Sequence, residues 1–154
     1  MLSYKLLFFL PLISTIFTYP FGVLLGEKTA QYFSSTLISI AAILSWFLFI
    51  SFSSSSSSEI IIPVLEWFFV SGQFFNWGIS VNSLTLLMLT LVLTVSALVH
   101  IYSIEYMSHD NSKVRFMTYL SLFTFCMVAL VVSDNLIQLF FGWEGVGLAS
   151  YLLI

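Results

Sequence analysis

The sequence is poor in charge. Only 7% of its 154 residues are Asp, Glu, Lys or Arg, against about 25% in an ordinary soluble domain. Four Lys and Arg face seven Asp and Glu, so no basic surface is present that could hold a nucleic acid backbone. This composition excludes an ordinary soluble domain and a nucleic acid partner.

Residues that hold metals and cofactors are equally scarce. Cys126 is the one cysteine, and His100 and His109 are the two histidines, which leaves no spacing for a zinc or iron–sulfur site. The glycine-rich phosphate-binding motifs of nucleotide enzymes are missing too. We therefore expect that this chain binds no cofactor itself.

Long uncharged runs fill the chain instead, and 60% of its residues are apolar. Because a helix rises 1.5 Å per residue, about 20 apolar residues cross a hydrocarbon layer about 30 Å thick. The predicted fold class is an all-α membrane protein that forms a single membrane domain over 1–154. Its five transmembrane helices are expected near residues 4–26, 30–52, 83–105, 114–133 and 135–154.

The stretch between the second and third helices has a different composition. Gly72 and Gly78 interrupt β-branched and aromatic runs, a pattern typical of strands and turns. We predict an outward, extramembrane β-hairpin over 59–80, with its turn near Ser71 and Gly72. The serine run 53–58 before it is predicted to be a solvated spacer.

Loop charges predict the orientation. With five helices, Lys5 and the hairpin share one side of the membrane, whereas Lys28, Lys113 and Arg115 share the other. Basic loops are concentrated on the cytoplasmic or matrix side of membrane proteins. The side with three cations is therefore predicted to be the inner side.

Glu144 is the one charged residue expected at the middle of the bilayer, because it is the tenth residue of the run 135–154. An ionisable group there costs about 2.5 to 3.5 kcal/mol and usually marks an ion or proton pathway. We predict that Glu144 is a proton site. The alternative is a permanently protonated side chain that donates one interhelical hydrogen bond.

Small residues surround this carboxyl group. Gly142, Gly145 and Gly147 weaken a helix interior, so they are predicted to give space to a neighbouring helix or to ordered water. Tyr151 follows Glu144 by seven residues and therefore shares its helix face. Tyr151 is a candidate for a proton relay in the same channel.

A proton site also needs a neighbouring group that favours either the ionised or the neutral form of the carboxyl. A cation about 4 Å away stabilises a carboxylate by roughly 4 kcal/mol at an effective dielectric near 20. The four cations of this chain lie at predicted helix ends, and the sequence stops at Ile154 without a polar cap. We expect a second chain that carries the remaining helices and a buried lysine.

Three stretches resemble one family. Residues 133–154 read SDNLIQLFFGWEGVGLASYLLI and closely resemble subunit 5 of the proton-pumping NADH:ubiquinone oxidoreductase, respiratory complex I. Residues 80–110 and 115–125 are similar to the third and fourth helices of that subunit. Asn82 stands where the family often has Asp, and it is predicted to cap the third helix.

The resemblance implies the N-terminal part of an antiporter-like fold, with Glu144 as the proton-pathway carboxylate and its lysine further along the subunit. It implies that FMN, iron–sulfur clusters and ubiquinone are bound by other subunits, and that other membrane subunits of complex I are partners. It also implies the mitochondrial inner membrane, with a bacterial plasma membrane as the alternative location. Because only the opening part of that subunit is present, we expect the product of a split subunit gene or a truncated subunit.

Two other functions remain open. The chain could be the large subunit of a multi-subunit sodium/proton antiporter, or a purely structural membrane scaffold.

His100 matches a histidine of relatives and has two interpretations. It is either a satisfied interface histidine or a proton relay, since histidine titrates near neutrality.

Overall fold

A computed structural model of the chain describes residues 1–54, 59–70 and 73–154. The described elements, in chain order, are α1 Leu2–Leu25, α2 Glu27–Ser54, β1 Ile60–Val70, β2 Gln73–Val81, α3 Ser83–Tyr106, α4 Lys113–Val131 and α5 Leu136–Leu153. Each of these helices is long and apolar enough to span a membrane. The predicted fold class, five membrane helices with a hairpin between the second and third, is confirmed.

The boundaries of several elements follow from local chemistry. The Asn82 carboxamide oxygen accepts a hydrogen bond from the Thr85 N–H at 2.8 Å and so caps α3. A single residue, Gly26, joins α1 to α2 with a φ of 99°, which favours glycine. α2 continues into the serine run as far as Ser54, and the rest of the predicted spacer, with the turn near 71–72, lies outside the described residues.

The helices form one antiparallel bundle. α1 lies between α2 and α4, and α2 also contacts α3 and α4, while α5 packs chiefly on α4. Apolar side chains fill the space between these helices, and the fully buried ones include Leu7, Ile38, Leu86, Leu93 and Val128.

An ion pair fixes which helix ends lie on the same side. The Lys113 ammonium is 3.1 Å from the Glu27 carboxylate, so the start of α4 lies beside the start of α2. Lys28 and Arg115 are close to these two residues in sequence. The structure therefore gathers the three cations of the predicted inner side at one end of the bundle.

The β-hairpin sits at the opposite end, against the turn from α4 to α5. The Ser80 N–H donates to the Val132 carbonyl at 2.9 Å, and Ile79 bridges to Ser133. The Gln138 side chain completes this contact, because its amide donates to the Gly78 carbonyl at 2.8 Å and its oxygen accepts from the Gly78 N–H at 3.2 Å. Gln138 therefore attaches α5 to β2.

Replacing Gln138 with Met is expected to detach the hairpin locally. Both polar groups of the Gly78 backbone lose their partner, and an unsatisfied buried polar group costs about 1 to 3 kcal/mol. We expect faster hydrogen exchange at the Gly78 and Ser80 amides. Leu139→Met, at a partly exposed neighbour, is the matched control, and unchanged exchange in Gln138→Met would contradict the attachment.

Candidate functional site

The glycines around Glu144 have two different environments. A Cβ added to Gly142 would lie 2.7 Å from the backbone N and Cα of Leu130, and one added to Gly145 would lie 2.7 Å from the Cys126 Sγ. Both contacts are with α4. The predicted close approach of a neighbouring helix at these two glycines is therefore made within this chain.

Glu144 lies on a different face of α5, and this face is open. A Cβ on Gly147 would meet nothing within 4 Å, and the Tyr151 side chain is 78% exposed. Glu144 is also exposed. Residues spaced by three and seven along a helix share a face, so Glu144, Gly147 and Tyr151 form a surface, here called the open face, that the described chain leaves exposed.

The Glu144 carboxylate lies near the middle of the span. It is the ninth of the 18 residues of α5, which places it about 13 Å along the helix from either end. Among the described residues, no side chain forms an ion pair or a hydrogen bond with it. The one ion pair within the described part of the chain is that between Glu27 and Lys113, at the end of the bundle.

A groove of about 500 Å³ runs beside this carboxylate between α4 and α5. Apart from Glu144 itself, its walls are apolar, and they are formed by Trp67, Leu122, Phe125, Cys126, Ile137, Phe140, Phe141, Gly145 and Leu148. The Trp67 and Phe141 rings meet edge to face at 6.2 Å. The hairpin therefore covers the end of the groove where α5 begins.

His100 lies in a second polar region, at the junction of α1, α2, α3 and α4. Its side chain is fully buried, with Nδ1 2.8 Å from the Ser96 carbonyl and Nε2 3.2 Å from the Ser121 Oγ. Ser121 Oγ is 2.9 Å from Ser14 Oγ and 2.8 Å from Ser34 Oγ. We call Ser14, Ser34 and Ser121 the hydroxyl cluster.

The hydroxyl cluster was not found by sequence reasoning. Each of its serines is a single hydroxyl within an apolar helix, and an isolated serine in such a run commonly bonds to its own backbone. The three come together only because α1, α2 and α4 meet at one point. The available signal was His100, whose ring in a membrane helix requires polar partners.

Comparison with known proteins shows which sequences this chain is similar to. A family model described as "NADH-Ubiquinone oxidoreductase (complex I), chain 5 N-terminus" matches residues 67–117. NADH-ubiquinone oxidoreductase chain 5 of Arabidopsis thaliana is 45% identical over 153 residues, which are 98% of this chain and 22% of the relative. NADH-quinone oxidoreductase subunit L of Rhodobacter capsulatus is 47% identical over 138 residues, 85% of this chain and 19% of the relative.

These relatives are much longer proteins, and the chain spans about a fifth of their length. The match begins near the start of this chain and continues through all five described helices, since it covers nearly every residue. The resemblance predicted from the sequence is thereby confirmed: this chain matches the N-terminal part of subunit 5 of the NADH:quinone oxidoreductases.

Proposed function

We propose that this chain forms the N-terminal part of the proton-pumping subunit 5 of an NADH:quinone oxidoreductase and supplies Glu144 to a proton channel. Helices outside these 154 residues complete the channel. The complex lies in a mitochondrial inner membrane, or in a bacterial plasma membrane as the alternative. The observation that carries this proposal is the open face, on which a mid-membrane carboxyl group lies uncovered by the described chain.

The energetic argument concerns what covers the open face. A charged carboxylate facing lipid at this depth costs about 2.5 to 3.5 kcal/mol, whereas a lysine about 4 Å away would contribute roughly 4 kcal/mol at an effective dielectric near 20. A lysine on one of these further helices therefore stabilises the ionised state. When that lysine moves away, the neutral state is favoured and Glu144 takes up a proton.

The neighbours of Glu144 suit this exchange. Gly147 leaves space beside the carboxyl group for a helix or for water, and the Tyr151 hydroxyl on the same face is a further relay candidate. The Gly142 and Gly145 contacts fix α5 against α4. The carboxyl group is therefore held by a rigid helix while its open face receives the partner.

Redox chemistry is assigned to other subunits. FMN and iron–sulfur clusters carry the electrons from NADH to ubiquinone there, because a chain with one cysteine cannot supply the thiolates that a cluster requires. The enzyme is thus the assembled complex. This chain contributes a proton-translocating part and not the electron-transfer site.

Carbodiimide cross-linking tests the proposed contact. In the intact membrane complex, dicyclohexylcarbodiimide activates a protonated carboxyl group within the bilayer, and a lysine in contact then forms an amide bond with it. We expect mass spectrometry to find Glu144 joined to a lysine that lies outside residues 1–154. Glu144→Gln is the control, because it removes the reactive group, and an activated Glu144 without any such lysine product would contradict the proposal.

The subunit composition of the same purified complex distinguishes the proposed function from the remaining alternative, a sodium/proton antiporter. Flavin and iron–sulfur subunits co-purify with this chain if it belongs to an NADH:quinone oxidoreductase. A membrane assembly that lacks them would instead indicate the large subunit of a multi-subunit sodium/proton antiporter.

A further inference from the structure

We propose that His100 and the hydroxyl cluster form a second proton-carrying site, in which a chain of hydroxyl groups delivers a proton to the Nε2 atom of His100. The inference rests on the proposed function, since it concerns proton movement through the same subunit. It adds a site whose residues do not line the Glu144 groove. That site is built from α1, α2, α3 and α4.

The geometry determines which ring nitrogen of neutral His100 carries the hydrogen. Nδ1 is 2.8 Å from the Ser96 carbonyl oxygen, and a carbonyl oxygen can only accept. Nδ1 therefore carries the hydrogen, and Nε2 is an acceptor. It follows that the Ser121 hydroxyl donates to Nε2 across 3.2 Å.

This assignment also fixes the direction in which the remaining hydroxyl groups donate. Because the Ser121 hydrogen is used toward His100, Ser121 Oγ accepts from Ser34 across 2.8 Å. Ser34 in turn accepts from Ser14 across 3.2 Å. The donors thus run from Ser34 on α2 through Ser121 on α4 to His100 on α3, and Ser14 on α1 lies within hydrogen-bond distance of both Ser34 and Ser121.

The other side of the imidazole ring is closed. The Thr124 hydroxyl donates to the Leu120 carbonyl at 3.0 Å, so it must accept from the Ser96 hydroxyl at 2.5 Å. Both hydroxyls are then used as donors, and their branch ends at a backbone carbonyl. Within the described residues, proton exchange at His100 therefore takes place through Nε2 and the hydroxyl cluster.

Proton uptake reverses the direction of this chain. A bond forms between Nε2 and the hydrogen of Ser121, and the Ser121 O–H bond breaks. Ser121 then takes the hydrogen of Ser34, and Ser34 takes a proton from protonated water at the cluster. The product is an imidazolium that donates to Ser121, and proton release runs through the same steps backward.

Gln31 indicates where water reaches the cluster. Its side chain is only 3% exposed, and its Nε2 has no hydrogen-bond partner among the described residues. Gln31 lies one turn before Ser34 on α2, toward the end of the bundle where Glu27 and Lys113 pair. Since buried amide groups are nearly always hydrogen-bonded to protein or ordered water, we place the water entrance between Gln31 and Ser34.

The decisive test uses the assembled complex in liposomes and measures protons moved per NADH oxidised. His100→Gln keeps a polar side chain that can hydrogen-bond but cannot take up a proton. We expect proton transfer through this site to slow about 100-fold or more, so that the number of protons per NADH falls while assembly is unchanged. If His100 is only a packing residue, the ratio stays at its wild-type value, and that result overturns the proposal.

Variants of Ser121 keep the test conclusive if His100→Gln does not assemble. Ser121→Ala interrupts the chain and should lower protons per NADH, whereas Ser121→Thr retains the hydroxyl and should restore it. Ser103→Ala is the matched control, since among the described residues this buried hydroxyl on α3 bonds only to the Val99 carbonyl. An unchanged ratio in Ser121→Ala would contradict the relay.

Glu144→Gln, measured in parallel, separates this proposal from the proposed function. A loss in Glu144→Gln together with a normal ratio in the His100 and Ser121 variants overturns the second site alone. A normal ratio in Glu144→Gln overturns the role of Glu144 in proton movement, whatever the His100 variants show.

Discussion

Glu144→Gln is expected to leave the complex assembled and able to oxidise NADH, while proton transfer through this subunit slows by about 100-fold or more. Glutamine keeps the size and hydrogen-bonding capacity of the side chain, but it cannot exchange a proton at this position. The measurement is NADH-driven acidification in liposomes, compared with the NADH oxidation rate of the same sample.

Glu105→Gln is the matched control for this variant. It makes the same chemical change near the end of α3, one residue before the helix ends, and should leave proton movement unchanged. The scaffold interpretation makes the opposite prediction for position 144, because a permanent interhelical hydrogen bond is served equally well by glutamine. Normal acidification in Glu144→Gln would therefore favour the scaffold.

Gly142→Ala is expected to weaken the contact between α5 and α4. The new methyl group would lie 2.7 Å from the backbone N and Cα of Leu130, and a backbone cannot rotate away as a side chain can. Overpacking of this kind costs about 1 to 3 kcal/mol. We expect α5 to separate from α4 at a lower temperature, which protease cleavage of the heated complex would detect.

The same helix offers a control that differs only in its surroundings. Gly147→Ala adds the same methyl group where nothing lies within 4 Å, and alanine favours a helix over glycine by about 1 kcal/mol. In this variant α5 should separate from α4 at no lower a temperature than in the original chain. Equal losses in the two variants would show that the α4 contact is not the cause.

The sequence allowed the membrane helices, the hairpin and the Asn82 cap to be predicted, because each depends on local chemistry. Long runs without charged residues mark the membrane helices, glycines mark the hairpin, and a carboxamide before an apolar run marks the start of a helix. The partners of the helices could not be predicted in the same way. Lipid-facing and protein-facing surfaces of membrane helices are similarly apolar, so the sequence does not show which side of a helix meets a neighbour.

Both candidate sites depend on contacts between helices, which the sequence does not show. Glu144 could be located in depth by counting residues, but its exposure on the open face depends on α4 occupying the other side of α5. For His100, sequence reasoning left two interpretations open and identified no partner on another helix. Beyond Ser96, the partner of its ring among the described residues is the Ser121 hydroxyl of α4, which in turn contacts Ser14 on α1 and Ser34 on α2.

The attachment of the hairpin to α5 has a mechanical consequence. Gln138 and Asn135 fasten the first turn of α5 to backbone atoms of β2, and further along the helix Gly142 and Gly145 lie against α4. The hairpin, α4 and the part of α5 that carries Glu144 are thus expected to move as one unit. A change in the distance between the carboxyl group and a partner therefore comes from movement of the partner.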